Sequence, residues 1–293
     1  MFLNVHSSYS LKYGTMNIPA IVSKARALGI HQMVLTDINN STGTIEFIRE
    51  CYKQGIAKEP DEVQAGNIPY HLKPIAGIEF RKEGQLLYIG IAKSKEGMRE
   101  LNEFLSIHNV EDQALPNDAP AFENAFIIYP FTKSFNRVLK ANEFVGIKSN
   151  QLNGLYKHDL LQQKEKLVVW HPVTVGSKVE HRLHEYLRAI ELNTLLSMVP
   201  DDAKCDSNEI LIAEEALQSK FEAFPFIIDN TQKLIDACDL SIYFEPQVKS
   251  KNRYAYTKEG EMFDRILLRR IAYKGLTYRY GNDHPIARER MEK

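Results

Sequence analysis

Cysteine is scarce in this chain. Cys51, Cys205 and Cys238 are the three in 293 residues. They are odd in number and widely spaced, with no C-x-x-C pair, which excludes a disulfide framework or a zinc knuckle and fits reduced thiols. Tryptophan occurs once, as Trp170 inside an apolar run, so the core is its expected place. No apolar run approaches the ~18–20 residues of a membrane span. The opening Met1-Phe2-Leu3-Asn4-Val5-His6 has no basic stretch ahead of an apolar core, so no secretory signal is expected there. The expectation is a cytoplasmic protein with no membrane association. There is no H-E-x-x-H, no Walker A loop, no G-x-G-x-x-G, no internal repeat and no recognisable Ser-His-Asp arrangement. Net charge is also nearly absent, at −1, so the chain as a whole is not a polyanion binder.

What remains is a chain that is 44% hydrophobic and 26% charged, ample for a folded core. Its charge is uneven. Residues 249–293 carry twelve basic and six acidic side chains, so any nucleic-acid affinity is expected near the C-terminus. Short apolar runs alternate with amphipathic stretches through the first half. Strands are expected at Phe2–His6, Met33–Thr36, Lys73–Ile78, Leu86–Ala92, Phe126–Tyr129, Phe144–Ile147 and Leu167–Trp170. Helices are expected after Asn17 with a stop at Gly29, over Thr44–Gln54 with a stop at Gly55, and over Gly97–Ile107. This alternation points to an α/β fold with a parallel sheet and outer helices, open or closed into a barrel. From Val179 onward the pattern is mostly helical. Leu183, Tyr186, Leu187 and Ile190 form one apolar stripe and Ile210–Phe221 another; Asn230 is the expected cap of Thr231–Cys238; Lys258–Tyr273 ends at Gly275. Asn109–Ala121 and Pro200–Ser207 read as loops, and Ile286–Lys293 as a helix cut in mid-run, as in a fragment of a longer chain.

Three polar residues each follow a separate expected strand. They are His6, Asp37 and Glu79. Parallel strands bring such positions to one rim, where they can converge on a metal or a phosphate-bound water. Each also has a plainer reading: a strand-end hydrogen bond for His6, a helix cap or support of the Asn39-Asn40 turn for Asp37, and a solvated surface carboxylate for Glu79. His171, before Pro172, can sit at the same rim. His181 and His184 lie three apart on an expected helix, a spacing that permits chelation but more often leaves one histidine on a solvated face. In the tail, Arg265, Arg269, Arg270, Lys274 and Arg279 are candidates for phosphate contact. For Arg265 and Arg269, four apart, a solvated helix face is the alternative.

In combination, Leu3-Asn4-Val5-His6-Ser7-Ser8-Tyr9-Ser10-Leu11, Leu35-Thr36-Asp37 with Gly43, and Lys73-Pro74-Ile75-Ala76-Gly77-Ile78-Glu79-Phe80 resemble the PHP (polymerase and histidinol phosphatase) domain that opens the alpha subunit of bacterial DNA polymerase III. Ile91-Ala92-Lys93, Phe224-Pro225 with Asn230-Thr231, and Gly275-Leu276 with Arg279-Tyr280 extend the resemblance. The closing Arg288–Lys293 looks like the entry to that family's palm. The resemblance implies a distorted β/α barrel, usually counted as seven-stranded, over 1–245, and a basic helical segment over 246–293 that begins the palm region. It implies a metal cluster in active members, with Zn, Mn or Mg as the ions that a degenerate site here could take, and partners that include DNA and replisome subunits such as a proofreading exonuclease.

The departures from the family pattern are equally specific. An active site of this family opens with H-x-H, and Asn4 stands in the first place. Ile38 follows Asp37 where a histidine is frequent, Leu87 or a neighbour stands where another is expected, and Trp170–Thr174 supplies neither the Asp nor the last His of the late block. The expectation is therefore a scaffold module with a degenerate site at His6, Asp37 and Glu79, with His171 as a displaced ligand, and no tightly bound cofactor. The competing expectations are an active phosphoesterase or 3′–5′ exonuclease and, from another class, a general protein-interaction module. Polymerase chemistry is not expected in this chain, because two-metal transfer needs paired carboxylates and no Asp-x-Asp occurs.

Overall fold

The structure is a computed structural model that describes residues 1–53, 72–240, 261–282 and 284–292. The chain divides into two compact units, Met1–Tyr243 and Phe244–Lys293. The expected helix stop at Gly55, the helix start at Lys258 and the boundary at 245/246 lie outside the described residues.

The first unit is an α/β distorted barrel. Eight strands, β1 (Phe2–Val5), β2 (Gln32–Leu35), β3 (Lys73–Lys82), β4 (Gln85–Ala92), β5 (Ala125–Pro130), β6 (Glu143–Ile147), β7 (Leu167–Val169) and β8 (Pro172–Val173), pair in the order β7-β6-β5-β4-β3-β2-β1-β8. The two edges of this sheet, β7 and β8, are neighbours in sequence and are separated only by Trp170 and His171. Trp170 N–H bonds the Ile147 carbonyl at 2.9 Å on one side of that break, and His6 N–H bonds the Val173 carbonyl at 2.8 Å on the other. The sheet thus has eight strands where the expected barrel has seven, with β7 and β8 following one another along the chain at its two edges.

Most pairings are parallel, with β4 the exception: it runs antiparallel to both β3 and β5. The cause is local. Glu83 and Gly84 both take positive φ (51° and 83°), the backbone of a tight two-residue hairpin, so the chain returns at once instead of crossing over through a helix. The expected all-parallel sheet is corrected at this strand. Outside the sheet pack α1 (Ile18–Ala27), α2 (Gly43–Lys53), α3 (Lys95–Val110), the single turn α4 (Leu152–Leu155), α5 (His181–Glu191), α6 (Glu214–Ser219) and α7 (Pro225–Asp236). With helices covering the sheet, β1 is buried at all four positions, as strands covered on both faces are. α1 begins where expected: the Asn17 side chain accepts from Ala20 N–H at 2.9 Å, and Gly29 ends the turn at φ 64°.

Three helical expectations in the first unit need correction. The Leu183, Tyr186 and Ile190 stripe of α5 faces solvent, while His184 and Ala189 face inward. Asn230 lies inside α7, which starts five residues earlier at Pro225; its amide instead bonds the Lys164 and Leu167 carbonyls at 2.7 and 2.9 Å. The stretch Ile210–Phe221 is helical only over α6.

The second unit, described by itself, contains α8 (Glu261–Tyr280) and α9 (Pro285–Glu292). α8 runs through Gly275 instead of ending there, and the left-handed residue that follows it is Gly281, at φ 76°. Among the described residues no helix is long and apolar enough to cross a membrane.

Candidate functional site

The period of a strand decides which side chains meet. On β1 and just beyond it, Asn4 and His6 share a face; on β3, Glu79 and Arg81 do. All four, with Tyr13 and Trp170, line a cavity of about 580 Å³ at the mouth of the barrel.

Glu79 is the centre of that mouth. It is 1% exposed and hydrogen-bonded at both carboxylate oxygens. Oε2 accepts from Asn4 Nδ2 at 2.7 Å and from His6 Nε2 at 2.8 Å, while Oε1 accepts from Arg81 Nε. Burial works against the charge on Glu79, but the Arg81 guanidinium, then His6 and Asn4, outweigh it and hold the carboxyl well below the usual carboxylate range. The other Asn4 amide proton goes to Thr36 Oγ1 at 3.0 Å, and Asn4 Oδ1 accepts from the Trp170 indole at 3.1 Å. Trp170 is therefore half-buried at the mouth instead of lying in the core, with the Lys148 ammonium 4.4 Å from its ring centre.

His6 is held at both ring nitrogens. Nε2 lies 2.8 Å from Glu79 Oε2 and 3.2 Å from Asn4 Nδ2. Nδ1 lies 3.0 Å from Thr174 Oγ1, whose proton goes to Glu209 Oε2 at 2.6 Å. Both ring nitrogens of His6 therefore have protein partners within hydrogen-bond distance.

Asp37 is brought to the same end of the barrel but faces another task. Oδ1 accepts from Ser7 N–H and from Ser10 Oγ, both at 2.7 Å, and Oδ2 accepts from Ser7 Oγ at 2.8 Å. It ties down the loop between β1 and α1, and neither caps a helix nor supports the Asn39-Asn40 turn. The structure brings His6 and Glu79 into contact and leaves the Asp37 side chain one loop away. His171 turns away from the mouth: Nε2 bonds the Ile210 carbonyl at 3.0 Å and the ring meets Phe2 edge-on. His181 and His184 are likewise bound to backbone, at Cys205 O and at Tyr13 O.

Sequence reading missed Arg81, Tyr13 and Glu209. The Arg81 guanidinium stacks 4.3 Å from the Tyr13 ring centre, and Arg188 approaches the same ring at 5.3 Å. Glu209 carries the Thr174 bond and lies 3.5 Å from Lys148 Nζ. Arg81 was detectable, since it stands two residues after Glu79 and so on the same face of β3. Glu209 sits in a loop, where no period marks it.

Residues 3–143 match the profile of the PHP domain. Over those residues, slightly under half of the chain, the sequence is similar to the PHP domain. The chain is similar over most of its length to the DNA polymerase III subunit alpha of Halalkalibacterium halodurans, at 21% identity over 96% of this chain and 26% of that protein. A second relative is the DNA polymerase III subunit alpha of Borreliella burgdorferi, 25% identical over 96% of this chain and 27% of that protein. The error-prone DNA polymerase of Symbiobacterium thermophilum is 20% identical over 99% of this chain and 29% of that protein. The chain thus spans about a quarter of the length of these curated relatives, and it is homologous to their N-terminal region.

A PHP domain implies metal at its mouth, and the residues present do not fit one. The oxygens of Glu79 and Asp37 that would serve as ligands already accept from protein donors, and both nitrogens of His6 are committed. Among the described residues no group of three or more His, Cys, Asp or Glu is placed to hold a metal ion. The positive charge beside Glu79 is supplied by Arg81.

The five tail cations, Arg265, Arg269, Arg270, Lys274 and Arg279, all lie on α8 and are exposed. Arg269 is 5.6 Å from the Tyr273 ring centre, and Tyr273 in turn donates to Glu292 of α9 at 2.9 Å.

Proposed function

We propose that this chain is the PHP module of a bacterial replicative DNA polymerase of the alpha-subunit type, and that it acts in DNA replication as a scaffold without a working hydrolase site. The observation that carries the scaffold reading is the closed hydrogen-bond accounting of Glu79. A hydrolytic metal centre needs open coordination positions and ligands with free lone pairs. Here the carboxylate spends its acceptors on Arg81, His6 and Asn4. Replication as the setting rests on the homology to polymerase alpha subunits.

On this reading the rest of the polymerase supplies the transfer chemistry, and a proofreading exonuclease is among the proteins the barrel helps to seat. The exposed cations of α8 add a positive field toward duplex DNA. Because phosphate contacts release counterions, that binding is weak and salt-sensitive, on the order of 10⁻⁴ M or poorer for this chain at physiological salt.

Hydrolysis of a generic phosphoester and of single-stranded DNA, with Mn²⁺ or Zn²⁺ added, tests the scaffold reading. The expected result is no turnover above background. Turnover that His6→Ala abolishes overturns it in favour of an active metal-dependent phosphoesterase or 3′–5′ exonuclease. Fluorescence anisotropy with a primer-template duplex tests the tail: charge-neutral substitution of Arg265, Arg269 and Arg270 is expected to flatten the salt dependence.

A further inference from the structure

We propose that Arg81 is the resident cation of the barrel mouth, its guanidinium balancing the buried Glu79 charge as a divalent metal would, and that it excludes such a metal from the wild-type site. The inference rests on the degenerate-site reading above and extends it by naming the residue responsible.

The argument begins with charge. A carboxylate buried as deeply as Glu79 needs a positive partner close by. Arg81 provides one on the same strand face, and His6 provides a second partner from just beyond β1. The guanidinium also links elements as a bound ion does. It joins Glu79 on β3 to Tyr13 on the loop after β1, against which it stacks at 4.3 Å. Tyr13 in turn meets His6 edge-on at 5.6 Å and His184 at 4.7 Å. Arg81 is only 15% exposed, so it is part of the packed mouth and not a surface side chain passing over it.

Exclusion follows from the same contacts. A divalent ion beside Glu79 Oε1 would lie against a fixed like charge, with burial weakening the screening between them. It would also have to strip the Asn4, His6 and Arg81 bonds from a carboxylate that has no water-facing oxygen to offer. The geometry left once the guanidinium charge is removed is more favourable. Glu79 Oε1 is freed, and the end of Asn4 lies 2.7 Å from Oε2, so a carboxylate of the same shape at position 4 would add a further donor.

The test uses metal content after dialysis, metal titration by calorimetry, and melting temperature with and without Mn²⁺ or Zn²⁺. Arg81→Gln keeps a hydrogen-bond donor but drops the charge; Arg81→Lys keeps the charge. Wild type and Arg81→Lys are expected to retain well below one equivalent and to melt at the same temperature with or without metal. Arg81→Gln is expected to bind on the order of tenfold more tightly or better, and Asn4→Asp with Arg81→Gln more tightly still, each with a metal-dependent rise in melting temperature. The inference is overturned if Arg81→Gln binds no better than wild type, if Arg81→Lys binds as well as Arg81→Gln, or if Arg81→Gln unfolds and added metal does not refold it. In those cases the scaffold reading stands. If wild type itself takes up one equivalent that Glu79→Gln releases, the inference fails, and the scaffold reading fails with it only if the loaded protein also hydrolyses phosphoesters.

Discussion

His184 Nδ1 donates to the Tyr13 carbonyl at 2.7 Å, and its Nε2 accepts from the Cys205 amide at 2.9 Å. The ring must be neutral to make both bonds. Burial lowers its pKa to about 4, with Arg188 and His181 adding to the effect and the Tyr13 carbonyl opposing it. The unfolded chain therefore takes a proton near the ordinary histidine value of ~6.5 while the folded chain does not. More protons are bound in the unfolded state between about pH 6.5 and 4, so stability falls as pH drops through that window. The expected loss is roughly 2–3 kcal/mol, read from urea unfolding at a series of pH values. His184→Gln should flatten the slope, and an unchanged slope would show that another group causes it.

Gly77 on β3 faces the carbonyl of Gly90 on β4 so closely that an added Cβ would overlap that oxygen. Neither strand can yield, since each is paired on both sides within the barrel. Gly77→Ala should destabilise by at least the ~1–3 kcal/mol typical of an overpacked core, because the obstacle is backbone. Thermal melts check this; a loss under half of that range would mean that the two strands separate more easily than their pairing suggests.

Seven of the eight strands were legible in the sequence because buried staves read as apolar runs, whereas the two-residue β8 was too short to show; the mouth was partly legible because His6 and Glu79 each follow such a run. What escaped was direction and rotation. The β3–β4 return depends on the positive φ at Glu83 and Gly84, which makes an antiparallel hairpin inside a sheet that was expected to be parallel. On α5 the apolar count favoured Leu183, Tyr186 and Ile190, but the helix buries the one histidine whose two nitrogens find backbone partners. In α7 the start is set by Pro225, a residue suited to the first turn because its missing N–H costs nothing there. Arg81 is not a metal-ligating residue type, so no metal-site pattern marks it, although the strand period puts its cation beside Glu79.

The three thiols should be inert in the folded protein. Cys51, Cys205 and Cys238 are all buried, and burial pushes each thiol upward, Cys238 to about 12. The reactive species is the thiolate, so its population at neutral pH is negligible and access is blocked as well. Ellman's reagent should find almost no thiol in native buffer and all three in concentrated urea. A thiol that reacts rapidly without denaturant would contradict the placement of that cysteine.

Thr231 fastens helix to barrel through a single hydroxyl. Its Oγ1 donates to the Ile227 carbonyl at 2.7 Å within α7 and accepts from the Val169 amide at 2.8 Å on β7. β7 has one sheet neighbour, β6, so this hydroxyl satisfies a strand amide that faces a helix instead of another strand. Thr231→Val keeps the shape and removes the acceptor. The Val169 amide is then buried without a partner, at a cost of about 1–3 kcal/mol, whereas Thr231→Ser keeps the oxygen and should lose less. The order wild type, Ser, Val in unfolding free energy is the expected result. Amide hydrogen exchange adds a local readout: Val169 should exchange faster in the valine variant and stay protected in the serine one. Equal protection in both would mean that the β7 edge is held by packing alone.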